Sequence, residues 1–458
     1  MSNSAVDTIA AVSTAAGRSA ISLIRVSGPD TFKVIKRIFK PGGKRAFPLA
    51  FSAYHGDLIE PDTGLTADKV VVIAYLAPHS YTGEDVAEIS THGNPVVVSR
   101  VMGILLSEGI RAAEAGEFTR RAFINGKMDL LDVEAISHLL SADSVSQAQV
   151  ALNQLDGLPS RYVAKIRDEL VDHLVQLEAS LNFPEDAIEA IDEHKLKIHL
   201  TRIREELTVF VDNANHGSLV ARGVKIALVG RPNSGKSSLL NLLLGRDRAI
   251  VTEVPGTTRD TLEETISIGN IPVRLIDTAG LRKPGDRVEA IGIERSRLSI
   301  EEAYAVVGVF DGSEPETADD IEVLRELKSL NKPVVMVLNK NDLKSRIDSK
   351  LFAGFKPVYL SALNGEGFND LISRISNIMA EGGINNFEEM VLLGAQQTNA
   401  INKALAAVDR ACEGVGQIYQ DMLAIELEDA VSELGRVTGQ TVDVNTLDLI
   451  FERFCIGK

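Results

Sequence analysis

The stretch 225–238, KIALVGRPNSGKSS, constrains the fold of this chain more than any other. The apolar run 226–229 predicts a buried strand, and Gly235 with the LLNLLLG that follows predicts a helix. Between them Gly230, Gly235, Lys236 and Ser237 satisfy G-x-x-x-x-G-K-[ST]. A loop of this kind turns backbone N–H groups inward around phosphates, and the helix N-terminus adds positive potential. Lys236 would neutralise charge on the β- and γ-phosphates, and the Ser237 hydroxyl would ligate Mg²⁺. An ordinary turn would account for the glycines but not for the strand before them and the helix after them.

Three later stretches extend the site and select the nucleotide. The apolar run 273–276 ends in Asp277, Thr278, Ala279 and Gly280. A carboxylate at that strand end suits the outer sphere of Mg²⁺, and the Gly280 N–H suits a γ-phosphate. The run 333–338 ends in Asn339, Lys340, Asn341 and Asp342, an N-K-x-D sequence. Asp342 would accept from guanine N1–H and from its exocyclic amine, a pair adenine does not offer, so the expected ligand is GTP. Ser361, Ala362 and Leu363 resemble the S-A-K loop that closes over the base. Leu363 stands where lysine is usual, which leaves the backbone of Ala362 as the expected contact.

A chain of 458 residues exceeds one hydrophobic core and predicts three domains. No apolar run approaches the roughly 20 residues that span a bilayer, and the N-terminus lacks the basic and apolar regions of a signal peptide. Only Cys412 and Cys455 are present, too few for a disulfide framework, so a reducing cytoplasmic setting is expected. A net charge of −16 argues against broad coating of nucleic acid, which leaves any RNA contact local or shared with a partner.

Residues 1–126 alternate β-rich runs (8–12, 19–26, 70–77 and 86–91) with helical ones (30–39 and 95–108), predicting an α+β domain. Its polar punctuation at 17–18, 80–85, 92–94 and 116–119 reads either as turn chemistry or as a ligand site. From 129 to 216 the apolar period becomes 3.6, interrupted at Pro159 and Pro184, as in a helical bundle. The acidic cluster Glu185, Asp186, Glu189, Asp192 and Glu193 reads as a solvated face. The stretch 217–223 is expected to link this bundle to a GTPase domain at 222–381. Helical patterning resumes beyond Gly383, with Leu392 opening one stripe. The fold class is therefore multidomain α/β plus α: the α+β domain at 1–126, a discontinuous helical domain at 127–221 and 382–458, and a Ras-like P-loop GTPase domain inserted into it.

This organisation, with GTTRD at 256–260, DTAGLR at 277–282 and CIGK at the C-terminus, resembles the MnmE (TrmE) family of tRNA-modifying GTPases over the whole chain. The resemblance implies a homodimer formed by the N-terminal domain and a flavoprotein partner, MnmG (GidA). Together these attach an aminomethyl or carboxymethylaminomethyl group to C5 of the wobble uridine of certain tRNAs. It implies 5,10-methylenetetrahydrofolate (with 5-formyltetrahydrofolate as a stable analogue) bound by Arg25, Glu88, Lys127 and Lys458. A pterin donates hydrogen bonds to a carboxylate, and a glutamate tail suits Arg and Lys. It also makes Cys455 a nucleophile or acid/base group, although a short tail read on its residues alone would be frayed and silent.

The same resemblance completes the GTPase site. Leu281 stands where Ras-like enzymes carry a water-positioning Gln, so hydrolysis needs another group. The family supplies it through GTPase domains that dimerise around K⁺. Asn233, with the loop residues Thr252, Val254 and Thr257, would hold the ion, and Glu289 would position the attacking water. Thr258, or its neighbour Thr257, would be the switch ligand of Mg²⁺. Ser234, Ser238 and Gly256 complete the expected nucleotide contacts. Two other readings are a ribosome-assembly GTPase, which would need a basic RNA-binding module, and a folate-dependent transferase regulated by GTP without tRNA.

Overall fold

A computed structural model of the chain describes residues 7–43, 47–142, 144–182, 192–246, 263–277, 299–352, 354–385, 390–440, 451 and 457. The chain divides into two units, one of residues 1–133, 163–167 and 431–458, the other of 134–162 and 168–430.

The first unit is built on a seven-stranded sheet: β1 (Ile9–Val12), β2 (Ile21–Ser27), β3 (Phe39–Pro41), β4 (Ser52–Ile59), β5 (Thr66–Tyr75), β6 (Val86–His92) and β7 (Arg111–Ala112). Their order is β3-β4-β5-β6-β2-β1-β7, antiparallel throughout except for β1 beside β7. Period-two alternation sends Ile24, Val26, Val72, Ala74, Ala87 and Ile89 to one face. There α1 (Thr31–Ile38) and α2 (Pro95–Ser107) cover them with Phe32, Ile35, Ile38, Val101 and Leu105. Each such side chain contributes about 1.5–3 kcal/mol on burial. The opposite face carries Arg25 and Glu88, cross-strand partners on β2 and β6.

Two details of this unit differ from the sequence reading. Strand β4 was not expected, because Gly56 and Ser52 occupy buried positions where the pattern calls for apolar side chains. The run 116–119, read as turn chemistry or a ligand site, begins a helix, α3 (Glu117–Ile124), capped at Gly116. Its Phe118 is fully buried beside Ile9, Ala11 and Ala113.

The second unit contains most of the helical segments α4 (Leu130–Leu140), α5 (Val145–Leu155), α6 (Leu158–Asn182), α7 (Glu193–Arg222), α11 (Ala395–Gly414) and α12 (Gln420–Thr438). Between α7 and α11 lies a six-stranded sheet: β8 (Val224–Val229), β9 (Glu263–Ile268), β10 (Ile271–Asp277), β11 (Ala305–Asp311), β12 (Val334–Asn339) and β13 (Val358–Tyr359). Its order is β13-β12-β11-β8-β10-β9, with only β9 antiparallel to its neighbour. The central strands read as continuous apolar runs because helices flank both faces, as parallel sheets require. These helices are α8 (Lys236–Arg246), α9 (Ala318–Ser329) and α10 (Phe368–Glu381).

The expected linker at 217–223 is the last turn of α7, which runs to Arg222 and enters β8 after Gly223. Gly217 is helical because the bare side of the helix there receives the Val391 carbonyl, with no room for a Cβ. Leu392, expected to open a helix, lies in an extended, buried segment ahead of α11. Gln154 of α5 clasps that segment: its Nε2 donates to the Leu392 carbonyl at 3.0 Å, and its Oε1 accepts from the Leu392 N–H at 2.8 Å. Val150, Ala151 and Val220 of the helices share one core with Ile266, Ile268, Ile271 and Val273 of the sheet.

Gly217→Ala is expected to destabilise the second unit by about 1–3 kcal/mol through overpacking. That exceeds the gain of at most about 1 kcal/mol from replacing Gly by Ala within a helix. Scanning calorimetry should show a lower thermal midpoint; an unchanged one would mean that Val391 yields without cost.

Candidate functional site

The predicted nucleotide-binding segments meet at the C-terminal edge of the parallel strands, next to the point where strand order reverses. Between β8 and α8 the phosphate loop folds back on itself. Lys236 Nζ donates to the carbonyls of Gly230 at 2.7 Å and Arg231 at 2.8 Å. Asn233, at the exposed tip, is left-handed with φ 61, which an Asn tolerates better than most residues. Ser237 and Ser238 are exposed on the first turn of α8, and Ser234 is buried beneath the loop. A Cβ on Gly235 would collide with Asn339 Nδ2, so the loop approaches the end of β12 at a distance only Gly permits.

Asn339 ends β12 and fixes the other half of the site. Its Nδ2 donates to the Ser234 carbonyl, and its Oδ1 accepts from the Ala362 N–H, both at 3.0 Å. Ser361, fully buried, donates its hydroxyl to Asp342 Oδ1 at 2.5 Å. One carboxylate oxygen of exposed Asp342 is thus fixed by a buried hydroxyl. Lys340, also left-handed at φ 65, donates to Asp311 Oδ2 at 2.5 Å. Burial opposes ionisation of Asp311, but hydrogen bonds from Lys340 and Ser313 outweigh it and hold the carboxyl below its ordinary range. Leu363, standing where lysine is usual, is 87% exposed, and the Ala362 N–H is held by Asn339.

The donor set suits a guanine nucleotide with Mg²⁺: a closed glycine loop, an ammonium, a helix N-terminal hydroxyl and a carboxylate oriented by a buried hydroxyl. Asp277 ends β10 in register with Leu228 of β8, which puts its backbone beside the start of the phosphate loop. Thr252, Val254, Gly256, Thr257, Thr258, Thr278, Ala279, Gly280, Glu289, Cys455 and Lys458 lie outside the described residues.

A second constellation lies on the sheet face of the first unit opposite α1 and α2. Arg25 donates to Glu88 Oε1 from Nε at 3.1 Å and from Nη2 at 2.8 Å, with both side chains about 15% exposed. The guanidinium sits 4.9 Å from the ring centroid of Tyr81 and 5.8 Å from that of Phe118. Lys127 is not part of this pair: it donates to the Pro78 carbonyl at 3.1 Å and runs its stem past Gly83. It therefore joins the loop that carries Tyr81. Gly457 is described against β1, where its carbonyl accepts from Ser13 Oγ at 3.0 Å. Adjacent Ala11 is the register partner of Arg25.

Sequence reading missed the residues that hold this loop. Buried Arg121 donates to Glu117, to Glu84 and to both the backbone and carboxylate of Asp7. Ser27 Oγ reaches Thr82 and Glu84, and Asn125 donates to the Thr82 carbonyl. Burial disfavours the charged form of Glu117, yet hydrogen bonds from Arg111, the Glu114 N–H and Arg121 lower its pKa overall. The only signal in the sequence was the density of charges beside the glycines at 83 and 116.

Asp342→Asn replaces an acceptor by a group that presents N–H donors of its own. Affinity for GDP or GTP is expected to fall about 10- to 100-fold, the scale of a lost charge-assisted hydrogen bond with an unsatisfied partner. Unchanged affinity by titration calorimetry would remove Asp342 from base recognition.

Comparison with known proteins places the chain in a family. Residues 8–127 match the family model described as "GTP-binding protein TrmE N-terminus", and residues 130–455 match "MnmE helical domain". Among curated proteins, the tRNA modification GTPase MnmE of Natranaerobius thermophilus is 40% identical over 457 residues, covering 99% of each chain. The proteins of that name from Lactiplantibacillus plantarum and Clostridioides difficile are 38% and 37% identical, each over 459 residues and at least 98% of either chain. The chain belongs to the MnmE (TrmE) family of tRNA modification GTPases.

Proposed function

We propose that this GTPase acts with a flavoprotein of the MnmG (GidA) kind to install an aminomethyl or carboxymethylaminomethyl group at C5 of the wobble uridine of certain tRNAs. The one-carbon unit comes from 5,10-methylenetetrahydrofolate bound beside Arg25 and Glu88 of the first unit. The observation that carries this reading is the Arg25–Glu88 pair, set beneath Tyr81 in the unit that also holds Gly457. Glu88 accepts hydrogen bonds from a pterin edge while Arg25 fixes its carboxylate, and the Tyr81 ring limits access of water to both. Burial raises the pKa of Tyr81, so its hydroxyl stays protonated at neutral pH. Lys127 and Lys458 provide cations for the folate carboxylates, and Cys455 approaches with the tail.

In the second unit hydrolysis is switched on when two GTPase domains pair across K⁺. Asn233 is supported as an ion ligand by its exposed, left-handed place at the tip of the phosphate loop. Thr252, Val254 and Thr257 join it, Thr258 or Thr257 ligates Mg²⁺, and Glu289 orients water. The N-terminal domain (1–126) forms the homodimer. The GTPase domain (222–381), inserted into the helical domain (127–221 and 382–458), drives rearrangement of the whole in the cytoplasm. Among the described residues no helix is long and apolar enough to cross a membrane.

The folate assignment is tested by calorimetric binding of 5-formyltetrahydrofolate. Glu88→Gln should bind about tenfold more weakly than the wild type, the worth of one charge-assisted hydrogen bond; equal affinity would overturn it. For the cation, GTP turnover should be faster in KCl than in NaCl and should rise per molecule with protein concentration. Equal rates at all concentrations would remove K⁺-dependent pairing.

A further inference from the structure

Arg231, the second residue of the phosphate loop, has a side chain that faces away from the phosphate site. Its guanidinium is only 15% exposed and is surrounded by carboxylates: Glu314 at 2.7 Å, Asp320 at 3.1 Å and Asp311 at 3.9 Å. Asp311 and Asp320 are themselves 3% and 4% exposed. Asp320 already caps α9, accepting from the hydroxyl and N–H of Thr317 at 2.7 and 3.0 Å. Asp311 Oδ2, in turn, receives Lys340 Nζ at 2.5 Å, and Lys340 belongs to the N-K-x-D sequence that reads the base. One cation at the phosphate end and one at the base end therefore share a single buried carboxylate.

We propose that Arg231 is a positioning residue that couples the phosphate loop to the guanine-reading loop through Asp311, and so sets how long guanine nucleotide is retained. This rests on the reading of the site as a guanine-nucleotide site. Two cations on one carboxylate repel each other, but Arg231 also neutralises Glu314 and Asp320, which would otherwise compete with Asp311 for the Lys340 ammonium. Without Arg231, Asp311, Asp320 and Glu314 face Lys340 alone, and the excess negative charge pulls its ammonium away from the position that shapes the base loop. The bond from the Asn339 side-chain amide to the Ser234 carbonyl remains, so the loops stay joined but lose their second tether. A fork-shaped guanidinium spans Glu314 and Asp320 together, which a lysine ammonium does not.

The test is the release rate of a fluorescent GDP from the full-length chain in Mg²⁺, chased with unlabelled GDP, alongside kcat and KM for GTP. Arg231→Gln is expected to release GDP about tenfold faster, with KM raised and kcat little changed. Arg231→Lys should fall between, about threefold, and it carries the test if the Gln variant does not fold. Glu314→Gln, at a carboxylate 58% exposed in its side chain, should stay within about twofold of wild type. In Arg231→Gln with Lys340→Gln, the combined effect should be smaller than the product of the single effects, because both act through Asp311. Release at the wild-type rate in folded Arg231→Gln or Arg231→Lys, or single effects that multiply, would overturn the coupling. A wild type that retains no GDP would instead overturn the guanine-nucleotide reading and the coupling with it, and that failure is visible before any variant is made.

Discussion

One amide side chain, that of Asn339, holds the nucleotide site in shape. It is 2% exposed, so both its donor and its acceptor must be satisfied within the protein. They are, by Ser234 of the phosphate loop and by Ala362 of the base-closing loop. Leaving either group unpaired would cost about 1–3 kcal/mol. The bond reaches across β11, which lies between β8 and β12, and that crossing is possible because Gly235 has no side chain to keep the loop away. Phosphate recognition and base recognition are thus properties of one packed object.

The same economy governs the other face of the sheet. Its apolar cover is not supplied by the GTPase helices alone. Val150, Ala151 and Val220 come from α5 and α7, and Ser146 of α5 donates to the Asn270 carbonyl in the β9–β10 turn. Gln147 reaches the Val220 and Ala221 carbonyls at 3.2 and 2.9 Å, closing the last turn of α7 just before β8 begins. Strand β10, which ends at Asp277, therefore rests on helices that belong to the bundle by sequence pattern.

The nucleotide site was legible because its chemistry is local. Gly230 to Ser237, Asn339 to Asp342 and Ser361 to Leu363 each carry their role within a few residues, and a parallel sheet brings strand ends together without further instruction. Arg25 and Glu88 lie 63 positions apart and meet only through the β2–β6 register, so only resemblance could pair them. Lys127 entered by the same resemblance, and its bond to Pro78 could not be read from INGKMDL. The helix through Gly217 was misread because glycine signals a break only when nothing presses against it. The Val391 carbonyl, 174 residues later, is what makes glycine necessary there. Arg231 was hidden in plain view: the phosphate-loop pattern leaves its position free, and its partners lie on β11 and α9.

The clasp between Gln154 and Leu392 bears on how far the GTPase sheet can be separated from the helices around it. Two hydrogen bonds hold the segments before and after the GTPase together, and closing the long loop between them costs only logarithmically more than closing a short one. Topologically the insert is a detachable bead. Energetically it has ceased to be one, because cutting it out would expose Val150, Ala151 and Val220 to water, at about 25 cal/mol for each Å² uncovered. Helices and sheet are mutually dependent, each covering the other's hydrophobic surface.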